Sequence, residues 1–238
     1  MTTSARTGLS GEFLKIARTQ APSYNEWPSV IRRRKIVVSV VLLIGATLLG
    51  YSLSRPPGDS TFLWLTLGLA GVWAVGAFVS GPLHFGHVCF RGRNQRPVFT
   101  GTFVGLALGG AFVVGGLVAR EIPGVREYIT NVLQYVNTGP LWAIVFITVI
   151  NGVAEEMFFR GAVYTALVRY RPVIVSTVLY VIATAATTGN PMLGFAAIIL
   201  GTVCALERRA TGGVLAPVLT HFFWGLVMVL ALPPMFGV

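Results

Sequence analysis

The chain has 238 residues, 54% of them hydrophobic and only 11% charged, with a mean hydropathy of +0.74. Soluble domains carry roughly 25% charged residues, so a water-soluble fold is excluded: too few polar side chains are present to cover its surface. The formal net charge of +10 is concentrated near the start, where seven of the 18 basic residues (Arg6, Lys15, Arg18, Arg32, Arg33, Arg34 and Lys35) precede position 36.

Residues 1–35 therefore read as a polar, basic, cytoplasmic N-terminal segment that contacts anionic lipid. Nucleic acid is not expected as a partner, because Arg32 to Lys35 abut an apolar block. Within the segment, Gly11–Thr19 has the pattern of a short interfacial helix with Phe13, Leu14, Ile16 and Ala17 towards lipid. Pro22 and Pro28 break anything longer.

Residues 36–238 form the transmembrane domain. Its apolar blocks, each near the length that spans a bilayer, predict about seven helices: 36–54, 61–81, 98–119, 141–168, 173–188, 192–206 and 213–232. The first block starts late and lacks a good cleavage site, so it is expected to remain as a span. Gly101, Gly105 and Gly109 recur every four residues in the third helix, a seam for close helix contact. Gly189-Asn190-Pro191 predicts a tight turn, and the fifth and sixth helices are short. The fold class is all-α, a polytopic membrane bundle with a polar cavity at mid-membrane. With the N-terminus inside, inner segments hold fourteen basic residues and outer segments three. This split follows the positive-inside rule and puts the C-terminus outside. Cys89 and Cys204 are too few for a disulfide framework and read as reduced packing residues.

Six of the eight acids (Glu12, Glu26, Asp59, Glu121, Glu127 and Glu207) fall in predicted loops or tails. Glu155 and Glu156 do not. They lie about fourteen residues from either end of the fourth helix, roughly 20 Å deep at ~1.5 Å per residue. An ionisable group at that depth costs on the order of 2.5–3.5 kcal/mol and points to function. Glu156 and Arg160 are spaced i,i+4 in the favourable order and are expected to pair, a pair that also suits a purely structural lock between helices. Glu155 points about 100° away and is free to act as a general base on water, with Asn151, one turn earlier, placed to orient it. His221 in the seventh helix is expected to face Glu155, where an imidazole holds water or a metal. His84 and His87 read as an interfacial i,i+3 pair at the inner end of the second helix rather than as metal ligands.

Glu155-Glu156-xxx-Arg160-Gly161 resembles the EExxxR(G) motif of the CPBP family of CAAX proteases and bacteriocin-processing enzymes, also called the Abi family. Ala210-Thr-Gly-Gly-Val-Leu-Ala-Pro217-Val-Leu-Thr-His221 is similar to the approach to the family's last motif. The resemblance covers about residues 140–230. It implies an intramembrane endopeptidase acting on a membrane-associated peptide or protein, with Glu155 activating water and His221 holding it or stabilising the oxyanion. Any divalent metal, such as zinc, would sit near Glu155 and His221. The family's FxxxH motif reads Tyr180 to Thr184 here, with Thr in place of His, and its HxxxN motif ends in Gly225. Thr184 is then expected to serve as a hydrogen-bonding wall. These two replacements equally suit a relative that binds a peptide or partner without cutting it: a scaffold, immunity factor or regulator. A carrier using Glu155 is a third reading, without an inverted repeat to support it. The multi-pass chain is expected in the plasma membrane.

Overall fold

The computed structural model describes residues 9–22, 26–90 and 92–238, without the side chains of Leu9, Ser10, Phe13 and Ala17. Among the described residues, six helices are long and apolar enough to cross a membrane. They are α2 (Pro28–Leu53), α3 (Thr61–Ser80), α4 (Val98–Ala119), the run Leu141–Ala166, α9 (Pro191–Thr211) and α10 (Leu215–Phe236). A seventh apolar helix, Pro172–Ala186, is shorter. The protein is an all-α, multi-pass membrane bundle with six helices of spanning length and one short helix among the described residues, where about seven spans are expected from the hydropathy.

Two of these helices are not α throughout. The run Leu141–Ala166 consists of α6 (Leu141–Glu156), a π segment (Met157–Val163) and a last turn, α7 (Tyr164–Ala166). The short helix is α8 (Pro172–Val181) followed by a second π segment (Ile182–Ala186). Residue-wide insertions of this kind in α-helices cluster at functional sites. Between α4 and α6, α5 (Pro123–Leu133) and a 3-10 turn (Gln134–Thr138) fill the connection.

The glycine seam is present. A Cβ on Gly101 or Gly105 would sit 2.6 Å from the carbonyl oxygens of Ala216 and Thr220, and one on Gly109 would meet Val227 at 2.9 Å. Only glycine lets the α4 and α10 backbones approach this closely. The Thr220 hydroxyl completes the contact, donating to Gly101 O at 3.1 Å. The turn before α9 also matches its expectation: Asn190 caps the helix, its side-chain oxygen accepting from the backbone N–H groups of Met192 and Leu193.

The N-terminal region differs from its expectation in three ways. Helix α1 (Leu9–Arg18) forms, but Ile16 is buried against Val88 and Ala210 rather than facing lipid. Leu14 is exposed, whereas the expected lipid contacts of Phe13 and Ala17 lie outside the described residues. Helix α2 starts at Pro28, so Arg32 to Lys35 ride on its first turns. Arg34 is fully buried. It donates to Ser80 Oγ at 3.0 Å and to Pro82 O at 3.1 Å, and its guanidinium pairs with the Glu26 carboxylate. That cation clamps α2 to the end of α3 and is not available to lipid headgroups.

At the same end, α3 stops at Ser80, so His84 and His87 lie in a loop and not at i,i+3 on a helix. The loop leads into a small hairpin, β1 (Val88–Phe90) paired antiparallel with β2 (Arg93–Gln95). It docks on the α9–α10 connection: Val214 N–H donates to His84 O at 2.8 Å and His87 N–H to Thr211 O at 2.9 Å. Gly86 and Gly213 permit this approach, since a Cβ on Gly213 would fall 2.0 Å from Gly86 N. Burial and the positive charge of Arg208 hold the His84 imidazole below its ordinary value.

Candidate active site

The paired acids sit at the junction between α6 and the first π segment. Phe158 and Phe159, just beyond Met157, are almost wholly buried and pack on Trp73 of α3 at ring distances of 4.8 and 5.3 Å. This aromatic wedge fixes the rotation of the segment, and with it where each neighbouring charge points.

Glu156 and Arg160 are both fully buried and form the expected pair, with Arg160 Nη1 donating to Glu156 Oε1 at 2.9 Å. Arg160 is held from three further sides. Its Nη2 donates to Gly201 O at 2.9 Å, its guanidinium lies 4.8 Å from the Tyr180 ring centre, and its own carbonyl accepts from Arg208 Nε at 2.8 Å. The i,i+4 pair is thus anchored to α8 and α9 together.

His221 does not pair with Glu155 as expected. Its Nδ1 lies 2.9 Å from Glu156 Oε1, the oxygen that Arg160 also uses. The reason is the rotation set by the wedge: Glu156, not Glu155, points towards α10. A carboxylate at Nδ1 fixes ring orientation and tautomer and leaves Nε2 for other work. The ring packs against Gly152, where a Cβ would come within 2.8 Å of His221 Cδ2 and 3.2 Å of Nε2. Gly152→Ala is therefore expected to push the imidazole off Glu156. Imidazole resonances of ring-labelled protein would show the shift, and resonances identical to the parent's would mean that the ring keeps its place.

Glu155 is only half-buried, unlike Glu156. It has a partner that its expected solitude missed: Tyr180 Oη donates to Glu155 Oε2 at 2.9 Å. His221, Glu156 and Arg160 all lie within electrostatic reach of it. Asn151 does not orient it. The Asn151 Nδ2 donates instead to Ile147 O at 2.8 Å and to Thr66 O at 3.0 Å, tying α6 to α3.

Thr184 lies half-buried in the second π segment, and its carbonyl accepts from Thr188 Oγ1 at 2.7 Å. Among the described residues its hydroxyl bonds to neither carboxylate. Gly225 faces α6, where a Cβ would stand 3.7 Å from Thr148 Cγ2, an ordinary contact. Glu207 is not in a loop. It lies in α9 and is nine-tenths buried. The hydropathy break made by Glu207-Arg208-Arg209 masks it, although the Gly212-Gly213 pair, as a helix stop, was signal enough to extend the helix past it.

Residues 137–227 match the family model described as type II CAAX prenyl endopeptidase Rce1-like. The CAAX-protease resemblance is borne out over this stretch. It contains both acids, Arg160, Tyr180, Thr184 and His221, so the family's segment and the polar cluster coincide. No curated protein and no solved structure matches the chain.

The donor set of this stretch does not fit a resident catalytic zinc. Such a site takes three protein ligands. Among the described residues no three His, Cys, Asp or Glu side chains are grouped to hold one ion. Glu156 Oε1 is already shared by Arg160 and His221, and Thr184 stands where the family places an imidazole.

Proposed function

We propose that the protein is an intramembrane endopeptidase of the CAAX type that cleaves a membrane-associated peptide or protein by glutamate-activated water. The observation that carries this reading is the contrast between the two acids. Glu156 is sealed between Arg160 and His221, while Glu155 keeps accessible surface and a single neutral partner, Tyr180.

Glu155 takes a proton from water, and the hydroxide attacks the peptide carbonyl. Tyr180 holds the carboxylate in place. Glu156 steadies the His221 ring at Nδ1, so that Nε2, when protonated, faces the developing oxyanion as a donor. Glu155 then returns its proton to the leaving amine. Arg160 offsets the charge of Glu156 and takes no direct part. The basic residues before α2 and on its first turns favour a plasma membrane with the N-terminus cytoplasmic and the C-terminus outside, and substrates arriving from the inner half of the bilayer. Arg32, Arg33 and Lys35 remain exposed to contact anionic lipid there.

One observation favours a second reading, a relative that binds without cutting. The side chains at 184 and 225 lack the imidazole and amide of the family motifs. Cleavage of membrane-tethered peptides by purified protein in liposomes separates the two. The protease reading expects turnover that falls by about 10²–10³-fold in His221→Ala, the range for losing an oxyanion donor. Peptide binding with no cleavage by the parent protein would establish the second reading instead.

A further inference from the structure

A cavity of about 620 Å³ lies between α4, α5, α9 and α10, apart from the polar cluster. Three of its walls are helices of spanning length, each contributing the part nearer α5. On α4 the lining runs from Leu108 to Ala119, a stretch of roughly 16 Å at ~1.5 Å per residue. On α10 it runs from Trp224 to Phe236, roughly 18 Å. One leaflet's share of the hydrocarbon core is about 15 Å. The cavity is therefore as deep as one leaflet.

Two features make it a built space rather than slack packing. The first is side-chain size. Ala111, Gly115 and Ala119 line α4 at four-residue spacing, and Ala196 lines α9. Among the described residues, nothing stands within 4 Å of a Cβ placed on Gly115, whereas one on Gly101 or Gly105 would strike α10. The second is a fixed roof. Val125, Ile129 and Val132 of α5 line the cavity, and the helix is pinned on two sides. Asn190 Nδ2 donates to Tyr128 O at 2.8 Å. The Tyr135 hydroxyl, just past the helix, lies 2.6 Å from Leu53 O and 2.7 Å from Arg55 O. Collapse of α5 into the space would break these contacts.

The setting selects the occupant. Val118 of α4 and Phe195 of α9 line the cavity yet are 63% and 53% exposed, so it opens sideways between spans. At that level the surrounding medium is hydrocarbon, and apolar side chains around an unfilled space forfeit their contacts. On its other side, α5 carries Arg126 and Glu127, which share a surface groove with Arg120 and Glu121. A helix with one apolar and one charged face lies at the headgroup boundary. Charges of both signs suit a headgroup that carries both.

We propose that this cavity is a lipid site: one acyl chain of a zwitterionic phospholipid, from the leaflet on the α5 side, lies along α10 with its headgroup beside α5 and its methyl end at Trp224. The Trp224 ring also meets the His221 ring edge-on, with centres 5.6 Å apart, so the chain ends one side chain from the reaction centre. The site stands without the protease reading.

Bromine on an acyl chain quenches indole emission on contact, which makes Trp224 the probe. Trp27, Trp64 and Trp142, exposed at helix starts, are replaced by Phe; Trp73, 1% exposed, and Trp224 remain. The emission that disappears in a further Trp224→Phe variant is that of Trp224. In vesicles of phosphatidylcholine brominated near the chain end, most of it is expected to be lost, and less with bromine near the headgroup. Gly115→Leu and Ala196→Phe fill the cavity from separate walls, and each is expected to restore the emission. Quenching equal to the parent's in both would overturn the proposal, because it would come from lipid outside the cavity. Stronger quenching by bromine near the headgroup would overturn it too. A membrane-tethered peptide that restores the emission by displacing the brominated chain would assign the cavity to substrate instead. If one filling variant does not fold, the other, on a different helix, decides.

Discussion

Replacing Glu155 by Gln is expected to lower peptide cleavage by about 10²–10⁴-fold, the span associated with a general base, while leaving thermal unfolding close to that of the parent. The two halves of this expectation come from the same geometry. Gln has the shape of Glu, and its side-chain oxygen still accepts from Tyr180 Oη, so the local packing survives. What disappears is the capacity to take a proton from water. Stability should change little: among the described residues Glu155 is in no direct ion pair, and the loss of its attraction to His221 and Arg160 is set against relief of its desolvation and of its repulsion from Glu156. Peptide affinity is expected to persist, so the loss should fall on kcat rather than KM. Cleavage within threefold of the parent would take Glu155 out of the mechanism, and a collapse of the unfolding transition would make it structural.

The parts of this molecule that were legible in the sequence share one property: they depend on near neighbours in the chain. The apolar blocks locate most of the span ends closely, because crossing a bilayer requires an uninterrupted run, but they miss the start of α2, which reaches back over the basic residues to Pro28. The Glu156–Arg160 pair follows from i,i+4 spacing alone. Gly101, Gly105 and Gly109 mark a seam because a four-residue repeat of small side chains has one physical use in a membrane. The errors have the opposite character. His221 binds Glu156 rather than Glu155 because Phe158 and Phe159, wedged on Trp73, set the rotation of a π segment, and no periodicity announces such a segment. Tyr180 reaches Glu155 from another helix. Asn151 was close enough in sequence to orient Glu155, yet a backbone carbonyl on α3 competes for it and wins. Arg34 was read with its basic neighbours as lipid-facing, whereas its partners Ser80 and Pro82 come from the far end of α3. Which of several adjacent charges turns inward is decided by the tertiary contacts, and those are invisible to spacing.

Arg160→Met is expected to be the most destabilising single change at the site, by about 3–5 kcal/mol, the range for removing one partner of a buried ion pair. The size comes from what remains. Glu156 stays fully buried, with one oxygen that lacks any other hydrogen bond and one that keeps only His221. Gly201 O loses a donor, and the stacking on Tyr180 goes as well. Adding Glu156→Gln in the same chain should recover much of the loss, because the stranded charge is then gone while the amide still meets His221. Denaturant unfolding of the parent, both single variants and the double variant in the same detergent gives the coupling directly. A coupling near zero would mean that the two groups are held independently by the surrounding helices. The arrangement argues otherwise: the Arg160 guanidinium meets Gly201 O of α9 and the Tyr180 ring of α8 as well as Glu156, so its loss weakens links among three helices as well as between two charges. Activity should fall with it, through His221. An Arg160→Met variant that stayed folded but lost cleavage would still be consistent with Glu155 as the base, whereas one that kept full cleavage would show that Glu156 holds the imidazole without its cation.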